Sequence, residues 1–261
     1  MNKFEKSDLD IKKDVDVSII TALYNSEKFI ADTIDSVLAQ TYSNWEMIIV
    51  DDCSQDKGPQ IVENYAKKDK RIKLIRLREN SGAAVARNKA IEKAEGRFLA
   101  FLDSDDLWTP DKLKRQLDFM LSYNYLFSYT DYQQMTEDGK LLNKIIKSPV
   151  KLDYNKALYI NYVGCLTAMY DTKEIGKLFM PIIRKRQDYA YWLKILKKVK
   201  YGYGLNENLA YYRMRENSVS SNKLNLLKYQ WKMYREYEEL SVIRTSYYVF
   251  YTIIIKLLKI K

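Results

Sequence analysis

The chain contains no histidine and only two cysteines among its 261 residues. The cysteines, Cys53 and Cys165, lie far apart and form no Cys-x-x-Cys pair. These absences exclude the usual zinc sites and every catalytic triad that uses histidine as its base. So few cysteines fit a reducing compartment, and a cytoplasmic location is expected. The 8 glycines and 4 prolines form no low-complexity linker, and the sequence has no internal repeat.

Charge and hydrophobicity narrow the classes of protein that remain possible. Hydrophobic residues make up 47% of the chain, enough for the core of one large α/β domain or two small ones. The formal net charge of +10 favours anionic partners such as nucleic acid, anionic lipid or phosphorylated ligands. The first 16 residues alternate charges without an apolar core, so no signal peptide is expected. The sequence has neither a P-loop nor a complete Gly-x-Gly-x-x-Gly motif, which disfavours kinases, NTPases and Rossmann oxidoreductases.

An apolar run over residues 98–102 ends in three carboxylates, Asp103, Asp105 and Asp106. The run predicts a buried strand, and open α/β sheets bind ligands beyond the carboxyl ends of their strands. In extended chain the side chains of Asp103 and Asp105 point the same way, which indicates a Mg²⁺ or Mn²⁺ site shared with substrate phosphates. The alternative is a solvated acidic turn in which Asp106, or the threonine before Pro110, caps the next helix.

The first hundred residues alternate between predicted strands and helices. Strands are predicted over 15–21, 45–52, 71–77 and 98–103, and helices over 29–38, 59–68 and 83–94. This alternation predicts right-handed βαβ crossovers and a mostly parallel sheet with helices on both faces. The carboxyl ends of parallel strands share one edge, so the polar residues that follow them are expected to converge on one crevice. These residues are Tyr24, Asp51, Asp52 and 103–106.

Four segments, in this order, resemble the motifs of family 2 glycosyltransferases. They are Ser-Ile-Ile-Thr-Ala-Leu-Tyr-Asn at 18–25, Ile-Ile-Val-Asp-Asp-Cys-Ser-Gln-Asp at 48–56, Asn-Ser-Gly-Ala-Ala-Val-Ala-Arg-Asn at 80–88 and Phe-Leu-Asp-Ser-Asp-Asp at 101–106. The resemblance covers about residues 15–220 and implies the GT-A fold. It implies a metal-dependent, inverting transfer of a hexosyl group from a nucleotide-diphosphate sugar. The acceptor it implies is a glycan or lipid-linked glycan of a bacterial capsule, O-antigen (lipopolysaccharide) or cell wall.

The resemblance also implies roles for residues of the N-terminal half, 15–108. It implies nucleotide binding by Ala22, Tyr24, Asp51, Asp52, Arg87, Asp103 and Ser104, and Mn²⁺ or Mg²⁺ binding by Asp105 and Asp103. Asp52 would read the edge of the uracil ring, since UDP is the family's common nucleotide, although dTDP and CDP would also suit a pyrimidine pocket. The structural alternatives are a half-buried core tyrosine at Tyr24, a backbone-bonding Asp51 and a solvated helix face at Arg87.

Residues 109–221 are expected to form the acceptor-binding half and a lid. A helix is predicted over 111–123, strands over 125–130 and 162–170, and a hairpin turn at the Asp-Gly pair in 137–140. Asp188 stands at the start of an amphipathic helix that carries Trp192 and Leu196. A carboxylate is favoured there by the helix dipole without any catalytic role. The resemblance implies instead that Asp188 is the general base that deprotonates the acceptor hydroxyl.

The C-terminal part is basic and partly apolar. The loop over 211–221 resembles a lid, with Arg215 and Ser218 as nucleotide contacts, and the alternative is a plain connector. Residues 222–261 are expected to form a separate helical segment. Its apolar stretch, 247–255, is too short for a membrane span of about 20 residues but suits a helix on an anionic inner leaflet. The alternative is a helix that packs on the body of the protein or on a second subunit.

Two other functions compete with the glycosyltransferase. A sugar-1-phosphate nucleotidyltransferase would carry a glycine-rich basic loop after the first strand, which residues 23–27 lack. A non-catalytic nucleic-acid- or membrane-binding protein would present a basic stripe, whereas acids at strand ends repel phosphates unless a metal is present. We therefore expect a UDP-sugar donor, a lipid-linked glycan acceptor, contact with the inner membrane surface and no nucleic-acid partner. The donor sugar, the linkage and the oligomeric state are left open.

Overall fold

The computed structural model describes residues 15–215 and 223–258. Its strands are β1 (Val17–Leu23), β2 (Trp45–Asp51), β3 (Ile72–Arg76), β4 (Phe98–Phe101), β5 (Leu107–Trp108), β6 (Phe127–Met135), β7 (Leu141–Ile146), β8 (Lys151–Asp153), β9 (Met169–Asp171) and β10 (Tyr201–Arg213). Its α-helices are α1 (Ile30–Leu38), α2 (Gly58–Lys68), α3 (Ala83–Lys93), α4 (Lys112–Tyr123), α5 (Tyr154–Ala157), α6 (Thr172–Ile175), α7 (Gln187–Val199), α8 (Lys223–Lys232) and α9 (Val242–Leu257). A 3₁₀ turn at Cys165–Thr167 precedes β9, and a π-helical turn at Met233–Tyr237 follows α8.

A single sheet contains all the strands of the described residues. Its order is β3-β2-β1-β4-β9-β6-β10-β5, with β7 beside β6 and β8 beside β10. The first four strands in this order run parallel, as the alternation of strands and helices predicts. β9 runs antiparallel to both β4 and β6 and joins the parallel half to the mixed half. The predicted α/β fold is confirmed.

Helices cover both faces of the sheet, which explains why β1, β2 and β4 are buried along almost their whole length. α1, α2 and α4 pack on one face through residues such as Ile34, Val62 and Leu117. α3 and α7 pack on the other face through residues such as Ala90 and Trp192. The small side chains of α3 permit its close approach to the sheet, so the loop before α3 lies near the carboxyl ends of the strands.

A close backbone approach at Gly96 holds β4 beside β1. A Cβ atom at this position would lie 2.6 Å from the backbone nitrogen of Ser18, so a larger residue would displace the strand. Instead, the N–H of Gly96 donates to Ser18 Oγ at 2.8 Å, and that hydroxyl donates to the buried Glu46. The turn before β4 thus fixes the strand that leads into the acidic motif.

Two predictions for the C-terminal half are wrong. The strand expected over 162–170 is a 3₁₀ turn followed by the short β9, because Thr167 Oγ1 donates to the carbonyl of Gly164 at 2.8 Å and closes the turn. Residues 211–213 belong to β10 rather than to a loop, because they pair with residues 133–135 of β6. The hairpin turn between β6 and β7 is confirmed, with its glycine at a φ of +86°.

The C-terminal helices pack on the body through one face of α9. Thr245, Tyr248 and Thr252 are buried on that face, and Gln230 of α8 donates to Thr252 Oγ1 at 2.8 Å. The other face of α9 is exposed and apolar. Neither α9 nor any other helix in the described part of the chain combines the length and hydropathy needed to cross a bilayer. The domain boundary expected between 221 and 222 stays a prediction.

Candidate active site

The carboxyl ends of β1, β2 and β4 bring the N-terminal motifs to one edge of the sheet. Asp52 N–H donates to the carbonyl of Leu23 at 2.9 Å, and Leu102 N–H donates to that of Ile20 at 3.2 Å. These backbone bonds continue the parallel register past the strand ends, so the polar residues after the strands lie side by side. The predicted convergence of these segments is confirmed.

Tyr24 and Ala22 lie at the end of β1. The side chain of Tyr24 is 48% exposed, so about half of it is accessible to a ligand, and its nucleotide contact stays a prediction. Ala22 is partly buried and packs on the α3 side of the sheet. An exposed ring beside a small residue leaves room for a planar ligand, and tyrosine rings commonly bind such ligands by stacking.

Asp52 and Asp51 serve different loops. The two carboxylate oxygens of Asp52 accept from the N–H groups of Ser81 and Gly82, at 2.7 and 2.8 Å, and tie the loop before α3 to the end of β2. Asp51 accepts from Ser54 N–H at 3.1 Å, as the backbone-bonding alternative predicts. Both acids are almost fully buried. Their contacts to nucleotide stay predictions.

Arg87 is buried and forms an ion pair with Asp103, so the alternative of a solvated helix face is wrong. Burial alone would lower the pKa of the guanidinium, but the charge of Asp103 outweighs it and raises that pKa above its ordinary value. Nε and Nη1 of Arg87 have no hydrogen-bond partner within the described residues. Cys165 donates from Sγ to Asp103 Oδ1 at 3.6 Å, which brings the 3₁₀ turn at Cys165–Thr167 beside this pair.

Asp105 and Ser104 complete the motif after β4. Asp105 Oδ2 accepts from Arg215 Nη1 at 2.9 Å, whereas Ser104 is buried and donates to Ser26 Oγ at 3.0 Å. Burial raises the pKa of Asp105, the negative charge of Asp103 raises it further, and Arg215 opposes both effects. The other expected lid contact, Ser218, lies outside the described residues.

Arg213 clamps the acidic motif to β10, a role that the sequence analysis missed. Its backbone N–H donates to Asp106 Oδ1 at 2.9 Å, and its Nε donates to the carbonyl of Asp105 at 2.8 Å. Nη1 reaches the carbonyl of Glu137 at 2.8 Å, so one buried side chain joins three segments. Asp106 therefore holds β10 and does not cap α4, whose N-cap is Asp111.

Asp188 lies in the first turn of α7 and accepts from Asn161 Nδ2 at 3.2 Å. Its negative charge contributes, after burial and the charge of Asp103, to the raised pKa of the Cys165 thiol. It also adds to the raised pKa of Arg87. Asp188 is thus within electrostatic reach of Arg87 and Cys165, two residues that contact Asp103. Its role as the general base stays a prediction.

The donor atoms of the acidic motif fit a divalent cation that also binds substrate. Asp103 and Asp105 offer carboxylate oxygens, which hard cations such as Mn²⁺ and Mg²⁺ prefer. Arg87 and Arg215 balance the two charges. The described residues contain no cluster of three or more acidic, cysteine or histidine side chains that would form a cage made of protein alone. The arrangement therefore suits a cation completed by phosphate oxygens.

Comparison with known proteins identifies the family. The family described as Glycosyl transferase family 2 matches residues 18–173. The chain is 51% identical over 231 residues to TuaG of Bacillus subtilis, a protein named for teichuronic acid biosynthesis, and the match covers 88% of this chain and 92% of TuaG. It is 39% identical over 243 residues to WfgD of Escherichia coli, a UDP-Glc:α-D-GlcNAc-diphosphoundecaprenol β-1,3-glucosyltransferase, covering 91% of this chain and 92% of WfgD.

Solved structures show the same fold. Staphylococcus aureus TarS in complex with UDP-GlcNAc superposes with a TM-score of 0.70 at 22% identity, over 91% of this chain and 71% of TarS. The mannosyltransferase PcManGT of Pyrobaculum calidifontis, in complex with GDP-Man and Mn²⁺, gives a TM-score of 0.63 at 15% identity, over 89% of this chain and 69% of PcManGT. The fold is GT-A, as expected, and the chain belongs to glycosyltransferase family 2.

Proposed function

We propose that this glycosyltransferase moves a sugar from a UDP-sugar to a lipid-linked glycan during synthesis of a surface polysaccharide. The observation that carries the proposal is the position of Arg87, which pairs with Asp103 and lies within reach of the charge of Asp188. A donor-site acid and a base whose charges both act on one guanidinium suit a transfer reaction. TuaG and WfgD, whose names refer to surface polysaccharides or their lipid-linked intermediates, support the biological role.

The donor nucleotide binds at the edge formed by β1, β2 and β4. The ring of Tyr24 stacks on the base against Ala22, and Asp52 accepts a hydrogen bond from the ring edge while it holds the loop at 80–82. Arg87, whose Nε and Nη1 are buried, acts on the nucleotide site through its ion pair with Asp103. Asp103 binds on the ribose side. The contribution of Asp51 and Ser104 is to hold the loops on either side.

Asp105, with Asp103, is the side chain that would hold Mn²⁺ or Mg²⁺. Bound there, the cation neutralises the charge that develops on the departing diphosphate. Arg215, two residues after β10, lies against the same carboxylate and supplies positive charge there. From this position Arg215 contacts the diphosphate and helps to exclude water that would otherwise hydrolyse the donor.

Asp188 is the general base. As the acceptor hydroxyl oxygen forms its bond to the anomeric carbon, Asp188 takes the proton, and the bond from that carbon to the diphosphate oxygen breaks. Attack from the side opposite the leaving group inverts the anomeric configuration. The chain has no histidine, so the base is a carboxylate or another side chain, and Asp188 fits this role.

The exposed face of α9 supports a position at the membrane surface. Ile243, Tyr247, Phe250 and Leu257 lie on one side of the helix, and Ile243 is 82% exposed. Their spacing of four, three and seven residues forms a continuous apolar stripe. A basic chain with such a stripe binds an anionic leaflet, which is where a lipid-linked acceptor is found. We place the enzyme on the cytoplasmic side, where nucleotide sugars are made.

The test is transfer with the purified chain. A panel of UDP-sugars is supplied with Mn²⁺ and a GlcNAc-diphospholipid acceptor, and the product is identified by mass spectrometry. We expect one UDP-sugar to add a single sugar, with no product in EDTA or with Asp188→Asn. Transfer from GDP- or dTDP-sugars alone would overturn the assignment of the donor. Unchanged turnover by Asp188→Asn would overturn the assignment of the base.

A further inference from the structure

The geometry points to Asn161 as the residue that positions the base Asp188, an inference that rests on the proposed function. Asn161 Nδ2 lies 3.2 Å from Asp188 Oδ2. It comes from the segment after α5, whereas Asp188 starts α7, so the contact joins two elements that could otherwise shift apart. A hydrogen bond to one carboxylate oxygen fixes the rotation of the group and assigns the other oxygen, Oδ1, to the acceptor proton.

The orientation of the Asn161 amide is itself fixed. Val163 N–H donates to Asn161 Oδ1 at 3.2 Å, so the amide oxygen must face Val163 and the NH₂ group must face Asp188. A reversed amide would set an oxygen against the carboxylate and an NH₂ group against an N–H. The hydrogen bond to Asp188 is therefore built into the turn at 161–163.

The segment that carries Asn161 is held by α9. The carbonyl of Tyr159 accepts from Thr252 Oγ1 at 3.2 Å. The ring of Tyr159 meets those of Tyr251 and Tyr248 edge to face, with ring centres 4.8 and 5.1 Å apart. Such edge-to-face ring pairs are favourable beyond the apolar area that they bury. The base is thus connected through Asn161 to the helix that bears the exposed apolar stripe.

A neutral amide is suited to this position. It donates to the ionised carboxylate and so favours the form that accepts a proton, without the strong attraction of a cation. A carboxylate at the same place would set a second negative charge against Asp188. Misplacement of a reacting group by about 1 Å can cost roughly 100-fold in rate.

The experiment measures kcat, KM and the pH profile for Asn161→Ala and Asn161→Asp, with the same acceptor and donor as the wild type. For Asn161→Ala we expect kcat to fall by about tenfold or more, while KM for the donor and the affinity for UDP stay within about twofold. For Asn161→Asp, which keeps the size of the side chain and the acceptor for Val163, we expect the acid limb of kcat to move to higher pH.

Asn208→Ala is the matched control. Asn208 is partly buried like Asn161, and its Nδ2 donates to a side-chain oxygen, Gln133 Oε1, at 3.0 Å. It should leave kcat and the pH profile unchanged. Melting temperatures of all variants exclude unfolding as the cause, and Asn161→Asp keeps the test open if Asn161→Ala does not fold.

The inference is overturned if Asn161→Ala turns over within about twofold of the wild type, or if Asn161→Asp leaves the pH profile unmoved. Asp188→Asn separates this failure from failure of the proposed function. Full activity in Asp188→Asn would overturn the assignment of Asp188 as the base, and a positioning residue would then not be needed. If Asp188→Asn is inactive while Asn161→Ala stays active, only the positioning role of Asn161 is overturned.

Discussion

Arg215 Nη1 donates to Asp105 Oδ2 at 2.9 Å, so the end of β10 is bonded to the acidic motif at the end of β4. The same carboxylate would hold a divalent cation. Burial and the charge of Asp103 raise the pKa of Asp105, and Arg215 opposes both effects. Arg213, two residues earlier, is buried beneath the motif and fixes its backbone. The two arginines therefore have different roles. Arg213, the last residue of β10, holds the backbone of the motif, and Arg215, two residues later, balances its charge.

Arg215→Ala should weaken the binding of UDP and strengthen the binding of the metal. Without Arg215, Asp105 loses its ion pair with that guanidinium, so a cation meets less competition for the carboxylate. We expect Mn²⁺ to bind at least as tightly as to the wild type in the absence of nucleotide. The affinity for UDP should fall by about tenfold, since a charge-assisted contact contributes roughly 1.5–3 kcal/mol. Calorimetric titrations of both ligands measure this, and loss of Mn²⁺ affinity in Arg215→Ala would contradict it.

Asp105→Asn and Asp188→Asn should both abolish transfer but differ in binding. Asp105 acts on the donor, so its variant should lose UDP binding that depends on Mn²⁺. Asp188 acts on the acceptor proton, so its variant should bind UDP and Mn²⁺ like the wild type. Equilibrium titration of each variant, next to the transfer assay, distinguishes the two roles. Equal loss of nucleotide binding in both variants would mean that Asp188 holds the donor and is not the base.

Lys112→Met should stabilise the protein most at neutral and lower pH. The side chain of Lys112 is fully buried, Nζ has no hydrogen-bond partner among the described residues, and burial lowers its pKa well below 10.5. The unfolded lysine binds a proton where the folded one does not, so folding is opposed below pH 10.5 and stability rises toward that value. We expect a gain of about 1–3 kcal/mol at pH 7 that shrinks as the pH approaches 10.5.

Denaturant unfolding at several pH values measures the effect of Lys112→Met. Lys114→Met is the control on the same helix, because Lys114 is exposed and pairs with Asp118 at the surface. It should change stability little at any pH. Destabilisation by Lys112→Met would mean that the ammonium is charged and held by the ring of Trp108, whose centre lies 3.8 Å away.

Ile243→Ser with Phe250→Ser should release the enzyme from anionic vesicles. Both side chains are exposed on the outer face of α9, so their loss costs little folding energy but removes apolar area from the membrane contact. We expect cosedimentation with anionic vesicles to fall several-fold, while UDP binding is unchanged. Leu121→Ser, an exposed leucine on α4, is the matched control and should not alter vesicle binding. Equal binding by the double variant and the wild type would show that α9 faces something other than lipid.

The parts of the site that follow from strand order could be predicted from the sequence. Asp52, Asp103 and Tyr24 each come directly after a parallel strand, and the shared edge of the sheet brings them together. The helical pattern of its segment and the family resemblance together indicate Asp188. In both cases a local pattern and one rule of sheet geometry, or one resemblance, were enough.

The remaining contacts depend on tertiary packing that no local pattern encodes. Arg213 meets Asp106 across 107 residues, and Cys165 meets Asp103 across 62. The polar residues around Arg213 predict a loop, whereas in the structure Arg213 belongs to a strand that pairs with β6. Asn161 has no motif of its own, and only the turn at Val163 and its contact with Asp188 reveal it.

The central claim, a UDP-sugar site completed by a metal at Asp105, is tested most directly by thermal unfolding with nucleotides. UDP, dTDP, CDP, GDP and ATP are each added with Mn²⁺ or with EDTA, to the wild type and to Asp105→Asn. Ligand at about 100 times its dissociation constant stabilises by roughly 2.7 kcal/mol, a shift of about 5 °C or more in a chain of this size. We predict that shift for UDP with Mn²⁺, and its loss in EDTA and in Asp105→Asn. An equal shift in EDTA, or none with any pyrimidine nucleotide, would contradict the account.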